Sequence, residues 1–313
     1  MNVSGFFRKT LIGFAVLACL VSNAFTQDTS GQGTSIRLLV TVEARKGSNV
    51  PEVTQRDVMV YEGKDRNSVT DWVPAQRTGL ELFILLDDSS SSSLGNQLDD
   101  IRKFIAVQPE NAKIGIAYMQ NGTAKVEQSP TTDHALAAKA LRLPLGIGGV
   151  NVSPYFSLTD LIKRWPQSPA RREVLMVSDG IDRFYGSGDL QDPYLDEAID
   201  NTLCAGIVVF AIYSPGAGHV GHAYWPNYWG QLYLSKLAEE TSGEAYYIGF
   251  TGSPVSFSPY LEEMGRSLEH QYWVTFIAKP EKKSGWQKIK VMTEVPNAEL
   301  ISAHKVYVPT VAR

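Results

Sequence analysis

The sequence predicts an α/β protein with a doubly wound, mostly parallel β-sheet, and a small β domain formed by the N- and C-terminal flanks. Three observations support this fold class. Apolar strand-like runs alternate with helical patterns between residues 79 and 270, which is typical of a parallel sheet covered on both faces. Residues 35–78 and 271–313 contain only short strand-like runs. The composition, 43% hydrophobic and 20% charged over 313 residues, is that of a globular protein.

The first 24 residues have the pattern of a signal peptide. Arg8 and Lys9 precede an apolar run of about 11 residues, and the small residues ending at Ala24 suit a signal peptidase. A helix that crosses a membrane needs about 20 apolar residues, so we expect cleavage and export to the periplasm, the cell surface or the medium. The alternative is a lipoprotein, because the residues before Cys19 loosely resemble a lipobox. Residues 25–34 are interpreted as a polar linker.

The expected mature chain is acidic and carries a single cysteine. The whole sequence has a formal charge of -4, and loss of the two cationic leader residues gives about -6. Nucleic acid is therefore an unfavourable partner. We expect Cys204, the cysteine left after cleavage, to be a buried thiol.

The two flanks of the chain have the β-branched, partly alternating character of strands. The predicted strands are Ile36–Ala44, Asp57–Tyr61, Ser68–Val73, Gln271–Ala278 and Gln287–Val291. Because the termini of a domain often lie close together, we expect residues 35–78 and 271–313 to form one small β domain.

The central segment, 79–270, begins with the apolar strand Leu80–Leu86. A helical stripe follows, formed by Leu94, Leu98, Ile101 and Ile105. The dipeptide Asn121-Gly122 predicts a tight turn between two strands. The later pattern predicts helices at Thr132–Leu141, from Ser153-Pro154, at Tyr194–Ala205, near Gln231–Thr241 and at Pro259–Glu269, and strands at Arg172–Ser178, Ile207–Tyr213 and Glu244–Gly249. In such a sheet, ligands bind beyond the carboxyl ends of the strands.

Oxygen-bearing side chains follow two of the predicted strands. Asp87, Ser89 and Ser91 come after the first strand, and Asp179 comes after Arg172–Ser178. Alternate side chains leaving a strand can converge, and their oxygens are hard ligands suited to Mg²⁺. The alternative for the first loop is a serine-rich helix cap.

The segments Leu85–Ser91 and Leu175–Gly180 resemble the von Willebrand factor A domain family, and the resemblance covers roughly residues 79–270. It implies a Rossmann-like sheet and a metal-ion-dependent adhesion site. Asp87, Ser89, Ser91 and Asp179 would surround Mg²⁺, or Mn²⁺ or Ca²⁺, directly or through water. A protein partner would supply an acidic group as the last ligand. The flanking β segments and the leader are similar to those of secreted bacterial proteins that carry this domain.

The chain departs from the family pattern at the third hydroxyl ligand. The family usually places a threonine after a Gly-Gly pair, whereas Gly148-Gly149 is followed here by Val150. Asn151 or Ser153 would then supply the oxygen, and Ser153 is preferred. Alternatively, Ser153 only caps a helix, and the protein is a structural scaffold with a degenerate metal site.

Aromatic and imidazole groups are concentrated after the strand Ile207–Tyr213. The candidates for partner contact are His219, His222, Tyr224, Trp225 and Trp229. Aromatic residues dominate interaction sites, so a protein or glycan partner is predicted here; the alternative is a satellite core. The same loop contains G-x-G-x-x-G, but Pro226 is expected to block the helix that a phosphate site requires.

Catalytic motifs are weak in this sequence, which lacks a G-x-S-x-G elbow. The predicted function is a non-enzymatic binding protein. A hydrolase or nucleotide-binding enzyme that uses the same loop edge is the alternative, since His219 or His222 could approach the serines near Asp87. The acidic, glycine-containing connection 182–192 is interpreted as a solvated loop.

Overall fold

A computed structural model describes residues 33–146, 153–185, 192–217, 224–247, 256–279 and 283–309. The predicted signal peptide lies outside these residues. So do Val150, Asn151, His219 and His222.

Strands form three sheets in the described part of the chain. They are β1 (Thr34–Ala44), β2 (Val58–Glu62), β3 (Asp65–Asn67), β4 (Val69–Pro74), β5 (Leu80–Asp87), β6 (Lys113–Gln120), β7 (Thr123–Thr131), β8 (Arg171–Ser178), β9 (Ile207–Tyr213), β10 (Ala245–Tyr246), β11 (Gln271–Ala278), β12 (Gly285–Thr293), β13 (Ala298–Ser302) and β14 (Lys305–Val308).

The central sheet has six strands in the order β10-β9-β8-β5-β6-β7. Its strands run parallel except β7, which is antiparallel to β6. Every residue of β5, β8 and β9 is buried, which explains their continuous apolar sequences. The predicted α/β fold class with a mostly parallel sheet is confirmed.

Helices cover both faces of this sheet. They are α1 (Leu98–Ala106), α2 (His134–Lys139), α3 (Pro154–Arg164), α4 (Pro193–Ala205), α5 (Tyr224–Glu240) and α6 (Ser258–Glu269). Buried residues of α1, α2 and α6 share one core with the sheet, and those of α3, α4 and α5 share the other. No helix in the described part of the chain is long and apolar enough to cross a membrane.

The flanking segments form two four-stranded antiparallel sheets, β13-β1-β11-β4 and β14-β12-β2-β3. N-terminal and C-terminal strands interleave in both, since β1 pairs with β11 and β2 pairs with β12. Both sheets contribute to a third core, which includes Val40, Val60, Val274 and Ile289. The two ends of the chain therefore come together as predicted.

Local predictions had mixed outcomes. The turn between β6 and β7 is confirmed, since Asn121 and Gly122 both have positive φ, 49° and 74°, as a tight hairpin turn requires. The expectation that Pro226 blocks an early helix is wrong, because α5 already begins at Tyr224. A proline in the first helical turn loses no hydrogen bond, since the N–H groups there have no partner within the helix.

The expectation for Cys204 is also wrong. Its side chain is only partly buried, and the structure gives it as a disulfide cysteine rather than a free thiol. The chain has two cysteines, and Cys19 lies outside the described residues.

Candidate functional site

Asp87 ends β5 and is held by hydroxyl groups from two strand ends. Its Oδ1 accepts the backbone N–H of Ser89 at 2.8 Å and the Ser89 hydroxyl at 2.6 Å. Its Oδ2 accepts the hydroxyl of Ser178, the last residue of β8, at 2.7 Å. Asp87 is 1% exposed. Because β5 and β8 are adjacent and parallel, their carboxyl ends orient this carboxylate together.

Asp179 follows β8 and is the second buried carboxylate of the site. It is 1% exposed, and its Oδ1 accepts the N–H of Ile181 at 3.0 Å. Burial raises the pKa of Asp179 to about 6 although Arg183 opposes the shift, and repulsion from the Asp87 charge adds to it. The structure thus brings Asp87 and Asp179 together, as the two motifs predict.

Arg183 pairs with Asp179 through both ends of its guanidinium group. Nη2 donates to Oδ2, and Nη1 lies 3.4 Å from Oδ1. The Arg183 side chain is 24% exposed and the Asp179 side chain 1%, so the guanidinium covers the carboxylate. Burial lowers the pKa of Arg183, but attraction from Asp179, Asp87 and Asp182 outweighs it and raises the pKa.

The loop after β9 closes over this pair. The N–H of Ser91 donates to the Pro215 carbonyl at 3.0 Å, and the N–H of Ala217 donates to the Ser89 carbonyl at 2.9 Å. A Cβ atom on Gly216 would lie 2.6 Å from Oδ2 of Asp179. Glycine is therefore needed here for close approach of the backbone to the carboxylate.

The two other predicted serine ligands make different contacts. Ser91 caps a short 3-10 helix, Ser92–Gln97, by accepting the N–H of Ser93 at 3.3 Å. Ser153 caps α3 and donates its hydroxyl to Oδ2 of Asp182 at 2.7 Å. Their roles as metal ligands stay predictions.

Asp182 corrects the interpretation of the connection after Asp179 as a solvated loop. It is fully buried, and its Oδ1 accepts the N–H groups of Phe184 at 2.8 Å and Tyr185 at 3.0 Å. The first residues of this connection are therefore an ordered part of the site. Residues 186–191 lie outside the described range.

A second ion pair, between Arg142 and Asp88, also lies at this edge of the sheet and was not predicted from the sequence. Arg142 donates to Oδ1 of buried Asp88 at 2.6 Å and to Oδ2 at 2.8 Å. It also donates to the Leu143 carbonyl at 3.0 Å, and its guanidinium carbon lies 3.8 Å from the Tyr118 ring centroid. Burial raises the pKa of Asp88, but hydrogen bonds led by those from Arg142 hold it below its usual range.

The oxygen donors at this edge suit a hard cation. Two buried carboxylates of like charge need a positive partner, and Asp87, Ser89 and Asp179 supply oxygens that Mg²⁺ prefers. Within the described residues, no group of three or more His, Cys, Asp or Glu side chains is arranged to hold a metal, so hydroxyl groups have to complete the set. The positive charge that the structure does place here belongs to Arg183.

The predicted aromatic contacts divide into two groups. Tyr224 and Trp225 are 49% and 66% exposed and touch edge to face in the first turn of α5. Trp229, one turn further on, packs against the sheet core. The packing of Trp229 agrees with the alternative of a satellite core, whereas partner contact by Tyr224 and Trp225 stays a prediction.

A further aromatic group was not predicted. Phe184 and Tyr185, directly after Arg183, are exposed and contact Tyr194 of α4. Phe156 of α3 completes the cluster. Two exposed aromatic surfaces, Tyr224/Trp225 and Phe184/Tyr185, thus belong to elements that adjoin Asp179.

Glycines allow α5 to pack directly on the Asp179 turn. A Cβ atom on Gly230 would lie 2.0 Å from the Asp179 carbonyl oxygen, and one on Gly180 would lie 2.3 Å from the Gly230 carbonyl oxygen. The φ angle of Gly180 is 70°, a conformation that favours glycine. The contact fixes the turn that carries the carboxylate.

We predict that Gly230→Ala destabilises the protein by about 1–3 kcal/mol, because the added methyl group forces α5 away from Asp179. Gly265→Ala in α6 is the matched control, since nothing lies within 4 Å of its Cβ position. Alanine there should stabilise the helix by up to about 1 kcal/mol. Chemical denaturation of both variants measures the two effects, and equal effects would contradict the proposed packing.

Comparisons with known proteins give structural neighbours alone. No family model and no curated protein matches the chain. A von Willebrand factor type A protein from Catenulispora acidiphila is 11% identical, with 91% of this chain and 76% of that chain covered and a TM-score of 0.44. An aerotolerance-related membrane protein from Bacteroides fragilis is 16% identical, with coverage of 61% and 98% and a TM-score of 0.44. The type V pili tip protein Mfa5 from Porphyromonas gingivalis is 9% identical, with coverage of 91% and 68% and a TM-score of 0.40.

Proposed function

We propose that this chain, whose structural neighbours are proteins with von Willebrand factor A domains, is a non-enzymatic binding protein. It would hold a partner at the carboxyl edge of the central sheet. The observation that carries this proposal is the pair of buried carboxylates, Asp87 and Asp179, with the Arg183 guanidinium paired to Asp179. Such a pair is costly to bury, and a buried carboxylate with a raised pKa, such as Asp179, is typical of functional sites.

The cation that serves partner binding is proposed to be Mg²⁺, with Mn²⁺ or Ca²⁺ as alternatives. Asp87, Ser89 and Asp179 would hold it, and Ser91 and Ser153 are the further predicted ligands. When bound, the metal supplies an electrophilic centre that accepts an acidic group of the partner as a ligand. The hydroxyls of Ser89 and Ser178 each donate to one oxygen of the Asp87 carboxylate and so fix its orientation.

The partner is proposed to be a protein with an acidic group, with a glycan as the alternative. Exposed Trp225 and Tyr224 would add apolar contact area beside the acidic edge. Phe184 and Tyr185 offer a second surface of the same kind next to Arg183.

Binding is favoured over hydrolysis by the contacts of the serines. Ser89 donates to Asp87, and Ser91 accepts from the backbone of Ser93. Nucleotide binding is disfavoured because Gly216 lies against the Asp179 carboxylate, which repels phosphate.

We predict that Asp87→Ala abolishes binding of Mg²⁺ and Mn²⁺, because it removes a charged ligand at the centre of the site. Asp87→Asn is the near-isosteric companion variant and should do the same. Asp99→Asn, on the exposed side of α1, is the control for loss of one negative charge. Calorimetric titration measures metal affinity, and thermal unfolding checks that each variant folds. Unchanged metal affinity in both Asp87 variants would refute the metal assignment.

We predict that a partner from envelope extracts of the native organism is retained on the immobilised protein in Mg²⁺ and released by EDTA. Trp225→Ala should weaken retention by about tenfold, within the range of aromatic contacts at interfaces. Val107→Ala is the control, because Val107 is also exposed but follows α1. Retention that survives both EDTA and Asp87→Ala would contradict cation-dependent binding.

Export is proposed from the leader-like sequence of residues 1–24. The exported protein should have an intact mass that corresponds to cleavage near Ala24. A mass that includes residues 1–24 would contradict cleavage. A lipid-modified N-terminus at Cys19 would instead indicate a lipoprotein.

A further inference from the structure

A cationic side chain already occupies the space above the Asp179 carboxylate. Arg183 donates to Oδ2 of Asp179, and a Cβ atom on Gly216 would lie 2.6 Å from this oxygen and 2.9 Å from Nη2 of Arg183. The backbone of the β9 loop and the guanidinium group together therefore cover the oxygen. A metal ion bound to this face of Oδ2 and the guanidinium group exclude each other.

We propose that Arg183 is the resident cation of this site and that a divalent cation binds by displacing it. The inference rests on the proposed cation-dependent function, and it concerns what sets the metal affinity of that site. Arg183 pairs with Asp179 and offsets one of the two negative charges of the carboxylates. Its positive charge and its position both oppose entry of a metal ion.

The contacts of Arg183 are suited to displacement. Its hydrogen bonds within the described residues all go to Asp179. Arg142 differs in its contacts and not in its exposure, because it also bonds the Leu143 carbonyl and stacks on Tyr118. Release of Arg183 therefore breaks one ion pair, whereas release of Arg142 would break several contacts.

The energetic balance also favours exchange over co-occupancy. Asp87 and Asp179 are both buried and influence each other electrostatically. Arg183 offsets one of their two negative charges, whereas a divalent ion would offset both. Arg183 and a metal ion together would bring three positive charges against two negative ones, and the two cations would repel each other at short range and low dielectric.

Calorimetric titration with MnCl₂ and MgCl₂ tests the inference on four proteins. They are the wild type, Arg183→Gln, the control Arg164→Gln and the double variant Asp87→Ala/Arg183→Gln. Arg164 pairs with Asp160 at the same i,i+4 spacing, but on the exposed end of α3. We expect Arg183→Gln to raise metal affinity by about tenfold or more, because it removes a competing charge next to the ligand. Arg164→Gln should change it by less than about twofold, and the double variant should bind no metal.

The outcomes separate this inference from the proposed function. If wild type and Arg183→Gln bind metal equally, the inference is overturned and the proposed function stands. If only Arg183→Gln binds metal, the inference is supported, and cation dependence of the wild-type function is overturned. If neither binds metal, both are overturned. If both proteins bind metal and Arg183→Gln binds it more tightly, the inference and the proposed function are both supported.

A second measurement uses the wild-type protein and does not depend on folding of the variant. Phenylglyoxal modification, followed by peptide mass spectrometry, reports the accessibility of each arginine. We expect Mn²⁺ to accelerate modification of Arg183 severalfold while the rate at Arg142 stays constant. An Arg183 rate that does not respond to saturating Mn²⁺ overturns the inference.

Discussion

The site depends on one electrostatic constraint, which is that two buried carboxylates, Asp87 and Asp179, share one positive charge. Both lie at the ends of strands that are buried along their whole length. Neither carboxylate can become exposed to solvent without disruption of the sheet that carries it. Because isolated buried charges are strongly destabilising, the fold requires a cation at this position. In the structure this cation is Arg183, and in the proposed function it is a metal ion.

The surrounding architecture holds this charge arrangement in place. The Asp87 loop and the loop after β9 are joined by backbone hydrogen bonds at 3.0 and 2.9 Å. Helix α5 packs through Gly230 on the carbonyl of Asp179. On the other side, Arg142 fixes Asp88 with two hydrogen bonds. The two ion pairs therefore differ in their anchoring, since Arg142 makes additional contacts with Leu143 and Tyr118, whereas Arg183 bonds Asp179 alone among the described residues.

Periodicity and strand chemistry were sufficient to predict the sheet and its two acidic loops. Continuous apolar runs located β5, β8 and β9, and the acids that follow two of them meet at one edge as expected. Arg183 was not predicted, although it lies only four residues after Asp179, because the connection after Asp179 was interpreted as a solvated loop and the structure shows its first residues to be ordered. The different environments of Trp225 and Trp229 were not predicted either. Trp229 lies one helical turn from exposed Trp225, yet it packs against the sheet core. The start of α5 at Tyr224 was not predicted, because Pro226 was expected to prevent a helix. Pro226 lies in the first turn of α5, where a proline is tolerated.

The most direct test of the central claim is anomalous diffraction at the manganese edge from crystals grown with Mn²⁺. The account predicts one anomalous peak between the carboxylates of Asp87 and Asp179, about 2–2.6 Å from their oxygens as for hard divalent cations, with the Arg183 side chain turned away from Asp179. Absence of a peak at saturating Mn²⁺, or a peak there with Arg183 still paired to Asp179, would contradict it.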